Sequence, residues 1–268
     1  MRYLRFLVAF AVFGYCLVVL AMYTLQDSLL YDPRTDHITP EQVGLANVKT
    51  LELTAPDGEK LVAWYTAAAP NKPTILFFHG KGGSISGRSQ RYAYYTSKGY
   101  GALFLSYRGY GASSGQPSRD GIITDAETAY DWLLAQGVTK DHILVVGESM
   151  GTGVAAILAA RRPVAAISLE APYSSIEDVA ARRYWWLPVR LLIKHNFDPV
   201  NEIAKIHVPI LMQQGDNDAS IPIEFGRKLF AAANEPKEFV VIPGGTHAIF
   251  NEPVWAREIV FFNKVIAQ

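Results

Sequence analysis

The run Val145-Val146-Gly147-Glu148-Ser149-Met150-Gly151-Thr152-Gly153 sets one serine between glycines two residues away on either side. Before it, "ILVVG" (143–147) is continuously apolar, as suits a strand buried on both faces. After it, "MGTGVAAILAAR" (150–161) is an alanine-rich helical pattern that ends before Pro163. A strand that turns straight into a helix around Gly-x-Ser-x-Gly holds its serine in a strained backbone conformation, and the glycines leave room for it. The Ser149 hydroxyl is then presented as a nucleophile beside a helix N-terminus, where developing negative charge is favoured. Such a turn needs a sheet beneath it and a helix behind it.

Short apolar runs followed by helical stripes recur along the chain. "TILFFHG" (74–80), "GALFLSYRG" (101–109), "AAISLEA" (165–171), "PILMQQGD" (209–216) and "EFVVIPGG" (238–245) read as strands. "VKTLELTA" (48–55) and "KLVAWYTA" (60–67), joined through Pro56-Asp57-Gly58, read as an antiparallel hairpin. Helical stripes are predicted over Thr124–Gln136, Glu224–Asn234 and Trp255–Ala267. Alternation of this kind, with right-handed crossovers, gives an α/β fold: a doubly wound, mostly parallel, eight-stranded sheet. Residues 49–268 make one domain of that type. The stretch 173–205 breaks the alternation with "RRYWWLPVRLLIKHNFDP" (182–199), and is predicted to form a small cap. Its Tyr184-Trp185-Trp186-Leu187 segment either packs inside that cap, lines an acyl groove or touches a membrane.

The N-terminus reads differently. Arg2 and Arg5 precede an uncharged, mostly apolar run from Phe6 to Gln26, long enough to cross a bilayer. Residues 1–26 are therefore predicted to be a single-pass anchor, and 27–48, with Pro33 and Pro40, a linker. Basic residues before the span and Asp27 after it place the N-terminus in the cytoplasm and the domain on the outer, extracytoplasmic side. The rival is a signal peptide cut after Val19-Leu20-Ala21, which would give a secreted protein; the apolar run is longer than a usual signal core. Equal numbers of basic and acidic residues, 25 each, give no pull toward nucleic acid. Cys16 is the single cysteine, so no intrachain disulfide forms.

A nucleophilic serine needs a base, and the base an orienting acid. His247, in the glycine-rich "IPGGTHAIF" (242–250) after the last strand, is the predicted base. His37, His142, His195 and His207 read as linker or surface residues, and His79 as a brace for its loop. For the acid, "LMQQGDNDASIP" (211–222) offers Asp218 first and Asp216 second, the latter better suited to a turn contact. The oxyanion formed during attack needs backbone donors, each worth about 2.7–4 kcal/mol in comparable enzymes. These are predicted to be the N–H of Met150 and, from "FFHGKGGS" (77–84), the N–H of Lys81. No metal or organic cofactor is required by this chemistry.

Together, "LFFHGKGG", "SYRGYGASSGQPS", "GESMGTG", "QGDNDASIP" and "GGTHAIF" resemble the α/β-hydrolase superfamily, and within it the membrane-anchored serine hydrolases of the serine-aminopeptidase-like, abhydrolase-domain group. The resemblance implies Ser149 as nucleophile, Asp218 as acid and His247 as base, with Arg108, Gly109, Gly111 and Ser114 structural. It adds Glu170 as a further candidate acid, since some members carry theirs one strand earlier. Lys81 stands where related proteins usually have Asn; its ammonium either stays solvated or favours an acidic or phosphorylated leaving group. The implied activity is hydrolysis of carboxylic esters or thioesters through an acyl-enzyme. Amide hydrolysis by a peptidase, and a non-catalytic membrane-tethered binding module, are the alternatives.

Overall fold

A computed structural model describes residues 1–267 of the chain. Its centre is an eight-stranded sheet made of β1 (Lys49–Thr54), β2 (Lys60–Thr66), β3 (Thr74–Phe78), β4 (Gly101–Leu105), β5 (Ile143–Glu148), β6 (Ala166–Glu170), β7 (Ile210–Gly215) and β8 (Lys237–Ile242). The spatial order is β8-β7-β6-β5-β3-β4-β2-β1. β2 alone runs opposite to the rest of the sheet, pairing antiparallel with β1 and with β4. The apolar runs explain this arrangement: β3 to β7 are buried along their whole length, as strands covered by helices on both faces must be.

Alternate side chains go to opposite layers. Leu76 and Phe78 of β3 join one core with Ile122, Ala126 and Leu133 of α3 (Arg119–Ala135) and Val154 of α4 (Met150–Arg161). Ile75 and Phe77 join the other with Tyr92 and Tyr95 of α2 (Ser89–Ser97) and Trp255 and Phe262 of α8 (Glu252–Ile266). Helix α7 (Ile223–Ala232) covers the first face through Leu229. Helix α3 starts five residues before its sequence stripe because the Ser118 hydroxyl caps it, accepting from the Gly121 N–H at 3.2 Å. Helix α2 has no clear stripe in "SQRYAYYTS"; its inward tyrosines, reaching across to Thr66 and Glu258, hold it on the sheet.

Helix α1 (Arg2–Leu30) has no buried residue and is long and apolar enough to cross a membrane. It continues to Leu30, taking in the first four residues of the stretch read as linker. The chain then pairs at once with the domain: Asp32 and Pro33 lie parallel to Gly82 and Gly83, and the Asp32 N–H donates to the Lys81 carbonyl at 3.1 Å. Between β6 and β7 the chain leaves the sheet as α5 (Ile176–Arg183) and α6 (Val189–Leu192), with Pro188 at the break. This excursion lies against α1. Tyr15 Oη donates to the Trp186 carbonyl at 3.0 Å, Gln26 Nε2 to the Leu192 carbonyl at 3.1 Å, and the Lys194 N–H to Gln26 Oε1 at 2.8 Å.

Candidate active site

Ser149 sits on the turn between β5 and α4 with φ 52° and ψ −119°, a backbone region that a non-glycine residue rarely enters. Holding a side chain there costs on the order of 1–3 kcal/mol, which the surrounding packing must offset. The glycines show why the turn closes: a Cβ on Gly147 would lie 2.4 Å from the Gly151 carbonyl oxygen, and one on Gly151 would lie 2.1 Å from that of Phe78. Strand β6 steadies the turn, for the Ser149 N–H donates to the Glu170 carbonyl at 2.9 Å.

Two loops at the same end of the sheet bring the partners. His247, after β8, places Nε2 3.0 Å from Ser149 Oγ, and its Nδ1 is 2.8 Å from Asp218 Oδ2. A carboxylate only accepts, so Asp218 fixes the proton on Nδ1 and leaves Nε2 free to accept from the serine hydroxyl. Asp218 is itself held by its other oxygen, which accepts from the Ser220 and Ile221 N–H groups at 2.8 Å each. Asp218 is 5% exposed and Ser149 9%, whereas the His247 side chain between them is 30% exposed.

The other acidic candidates are engaged elsewhere. Asp216 Oδ1 accepts from the Gly244 N–H at 2.7 Å, a turn contact. Glu170 is fully buried and pairs with Arg91; burial pushes its carboxyl well above the ordinary range despite that guanidinium. His79 is buried against Tyr107 and Tyr110, donating from Nδ1 to the Gly80 carbonyl at 2.7 Å. Burial, then the nearby Arg88 charge, pull its pKa down to about 3, so it stays neutral.

Lys81 and Met150 flank Ser149 in the wall of one cavity of about 490 Å³. Among the described residues, neither backbone N–H is taken by a protein acceptor. The Lys81 ammonium donates to the Leu29 carbonyl at 3.2 Å, at the C-terminal end of α1. The loop that carries Lys81 is fixed by a residue the sequence did not single out. Arg88 donates to the Gly82 and Ser84 carbonyls at 3.1 and 3.2 Å and pairs with Glu148, the neighbour of Ser149. Burial alone would raise the Glu148 carboxyl, but Arg88 and Arg91 hold it below its ordinary value. Only long-range contact reveals this pair, 60 residues apart in the chain.

Beyond Ser149 and His247 the cavity walls are mostly apolar. Met22, Leu29 and Leu30 of α1 form one side, and Val179, Leu187 and Ile193 of the excursion the other. One sequence expectation needs correction here, and one set of alternatives can be compared with the structure. His195 is not a surface residue: it lines this cavity, with Nε2 3.3 Å from Asp27 Oδ1 and its ring 5.7 Å from that of Tyr31, because the excursion folds back onto α1. The 184–187 segment does not pack as a unit inside a cap. Tyr184 and Leu187 face the cavity, whereas Trp185 is 81% exposed.

Known proteins resemble this chain in sequence and in shape. The family model described as the alpha/beta hydrolase fold matches residues 73–198. The alpha/beta hydrolase domain-containing protein WAV2 of Arabidopsis thaliana is 31% identical over 278 residues, covering 92% of this chain and 90% of its own. The lysophosphatidylserine lipase ABHD12 of Rattus norvegicus is 32% identical over 197 residues, covering 66% of this chain and 49% of its own. Among solved structures, the Pyrococcus furiosus esterase Pf2001 matches with a TM-score of 0.72 at 22% identity, covering 87% of this chain and 96% of its own.

Proposed function

Because the chain belongs to the α/β-hydrolase family, we propose that it is a serine hydrolase cleaving carboxylic esters or thioesters of acyl chains. The observation that carries this reading is the row Asp218–His247–Ser149, closed by contacts of 2.8 and 3.0 Å on a strained turn. Ser149 Oγ attacks the acyl carbonyl carbon while His247 Nε2 takes its proton. Asp218 stabilises the imidazolium, and the N–H groups of Met150 and Lys81 hold the oxyanion. His247 then protonates the departing alcohol or thiol. Water, deprotonated by the same imidazole, releases the acid and restores Ser149.

The apolar cavity suits an acyl chain, and the excursion 173–205 acts as its cap. The rat relative's printed name, a lysophosphatidylserine lipase, is in keeping with an acyl lipid carrying an anionic headgroup. Lys81 and Arg183, both at the cavity wall, are the cations placed to favour such a group. Helix α1 acts as a single-pass anchor, with Arg2 and Arg5 on the cytoplasmic side and the catalytic domain outside.

A fluorophosphonate probe tests the nucleophile: it should label the wild type and not Ser149→Ala. A folded wild type that resists labelling would instead leave a membrane-tethered binding module. Esters, thioesters and aminoacyl amides of graded length, with Ser149→Ala as control, then fix the bond and the acyl length. Hydrolysis confined to the amides would overturn the ester reading in favour of a peptidase.

A further inference from the structure

The tip of the excursion between β6 and β7 carries apolar side chains that the fold does not cover. Trp185 is 81% exposed, Leu191 86% and Trp186 43%, whereas Trp64 and Trp255 are buried in the core. Neither Trp185 nor Leu191 lines the cavity, so the acyl pocket does not account for them. The surrounding charge is mainly positive, with Glu224 pairing to Arg182 and Glu177 to Arg190 at its edge. Residues 179–197 contain Arg182, Arg183, Arg190 and Lys194 and no Asp or Glu. Large apolar groups ringed by cations are the composition of a surface that meets lipid.

The position of the tip relative to α1 decides what covers it. The excursion touches α1 at Gln26, through Leu192 and Lys194, and again at Tyr15, through Trp186. Lys194 Nζ also lies 4.3 Å over the Tyr23 ring. Eleven helical residues separate Gln26 from Tyr15, or about 16 Å along the axis. The uncharged run from Phe6 to Gln26 spans about 30 Å, the thickness of a hydrocarbon core. A bilayer that accepts this run therefore receives the tip beside it, within the leaflet nearer the domain.

We infer that Tyr184–Leu192 is a second membrane contact, inserted in that leaflet with Trp185 and Leu191 among the acyl chains. Arg182, Arg190 and Lys194 are the cations it offers to anionic headgroups, Arg182 and Arg190 in exchange for their ion pairs with Glu224 and Glu177. The inference rests on α1 being a membrane anchor, and it gives the insertion a purpose. The cavity, bounded by Met22 on one side and Leu187 on the other, is held at the depth of the lipids themselves.

The test uses the full chain in vesicles of phosphatidylcholine and phosphatidylserine whose acyl chains are dibrominated, a short-range quencher of tryptophan. Flotation with the vesicles reports the anchor, and fluorescence reports the tip. We expect the floating wild type to be quenched, and most of that quenching to be lost in Trp185→Phe/Trp186→Phe, a conservative pair that keeps the fold. Equal quenching in the two floating proteins, or none in either, overturns the second contact and leaves the anchor standing. Failure to float overturns the anchor and the second contact together.

Discussion

Arg88 joins the loop of Gly82 to Glu148, the residue directly before Ser149, so one guanidinium spans the two segments that meet at the cavity floor. The distance between the Lys81 N–H and Ser149 Oγ is set partly through it. Arg88→Met should lower kcat by up to about 100-fold, the effect of misplacing a donor by an ångström, with little change in KM. It also leaves the Glu148 carboxylate buried without its main partner, at a cost of about 3–5 kcal/mol in stability. Adding Glu148→Leu should restore the melting temperature but not kcat. Steady-state kinetics on a water-soluble short-chain ester, with thermal melts, separate the two effects.

The two aspartates after β7 make opposite predictions. Asp218 holds the His247 Nδ1 proton, and Asp218→Asn should cost about 10⁴-fold in kcat by stabilising the wrong imidazole tautomer. Among the described residues the Asp216 carboxylate contacts only the Gly244 turn, so Asp216→Ala should leave activity near wild type. Equal losses in both would show that the loop, and not the carboxylate at Nδ1, matters.

Lys81→Asn keeps the backbone donor and removes the cation. The rate on an ester with an anionic leaving group, relative to a neutral one of equal chain length, should fall about fivefold, near 1 kcal/mol for a partly screened charge. An unchanged ratio would assign the ammonium to the Leu29 carbonyl alone.

His79 makes the fold sensitive to acid. Its pKa falls from 6.5 to about 3 on folding, chiefly through burial. Below the higher value the unfolded chain binds a proton that the folded chain does not, so stability is lost as pH falls and is unaffected above neutrality. Between pH 7 and 4.5 this residue should remove about 2–3 kcal/mol. His79→Asn, whose amide can still donate to the Gly80 carbonyl, should show a shallower decline in melting temperature over that range.

Local pattern accounts for the part of the fold legible in the sequence. Uninterrupted apolar runs such as "TILFF" and "ILVVG" identify strands that must be covered on both faces, and the glycines around Ser149 exist to fit one turn. His247 and Asp218 were identifiable because each sits in a loop that directly follows a strand, and parallel strands deliver such loops to one end of the sheet. Arg88 with Glu148, Arg91 with Glu170, and His195 in the cavity wall have no such signature. Each depends on side chains far apart in sequence meeting across the sheet or along α1. The start of α3 lay upstream of its apolar stripe because a cap, and not periodicity, determines where a helix begins.

The short ladder between Asp32–Pro33 and Gly82–Gly83 leaves no slack between α1 and the loop of Lys81. Tyr31, the residue between helix and ladder, is buried, so there is no swivel at the joint either. If α1 spans a bilayer as proposed, it acts as a lever fastened to that loop. A change in its tilt, of the kind that thicker or thinner bilayers impose, arrives at Lys81 as a displacement. For a helix anchored as proposed, membrane thickness would become a mechanical input to the site.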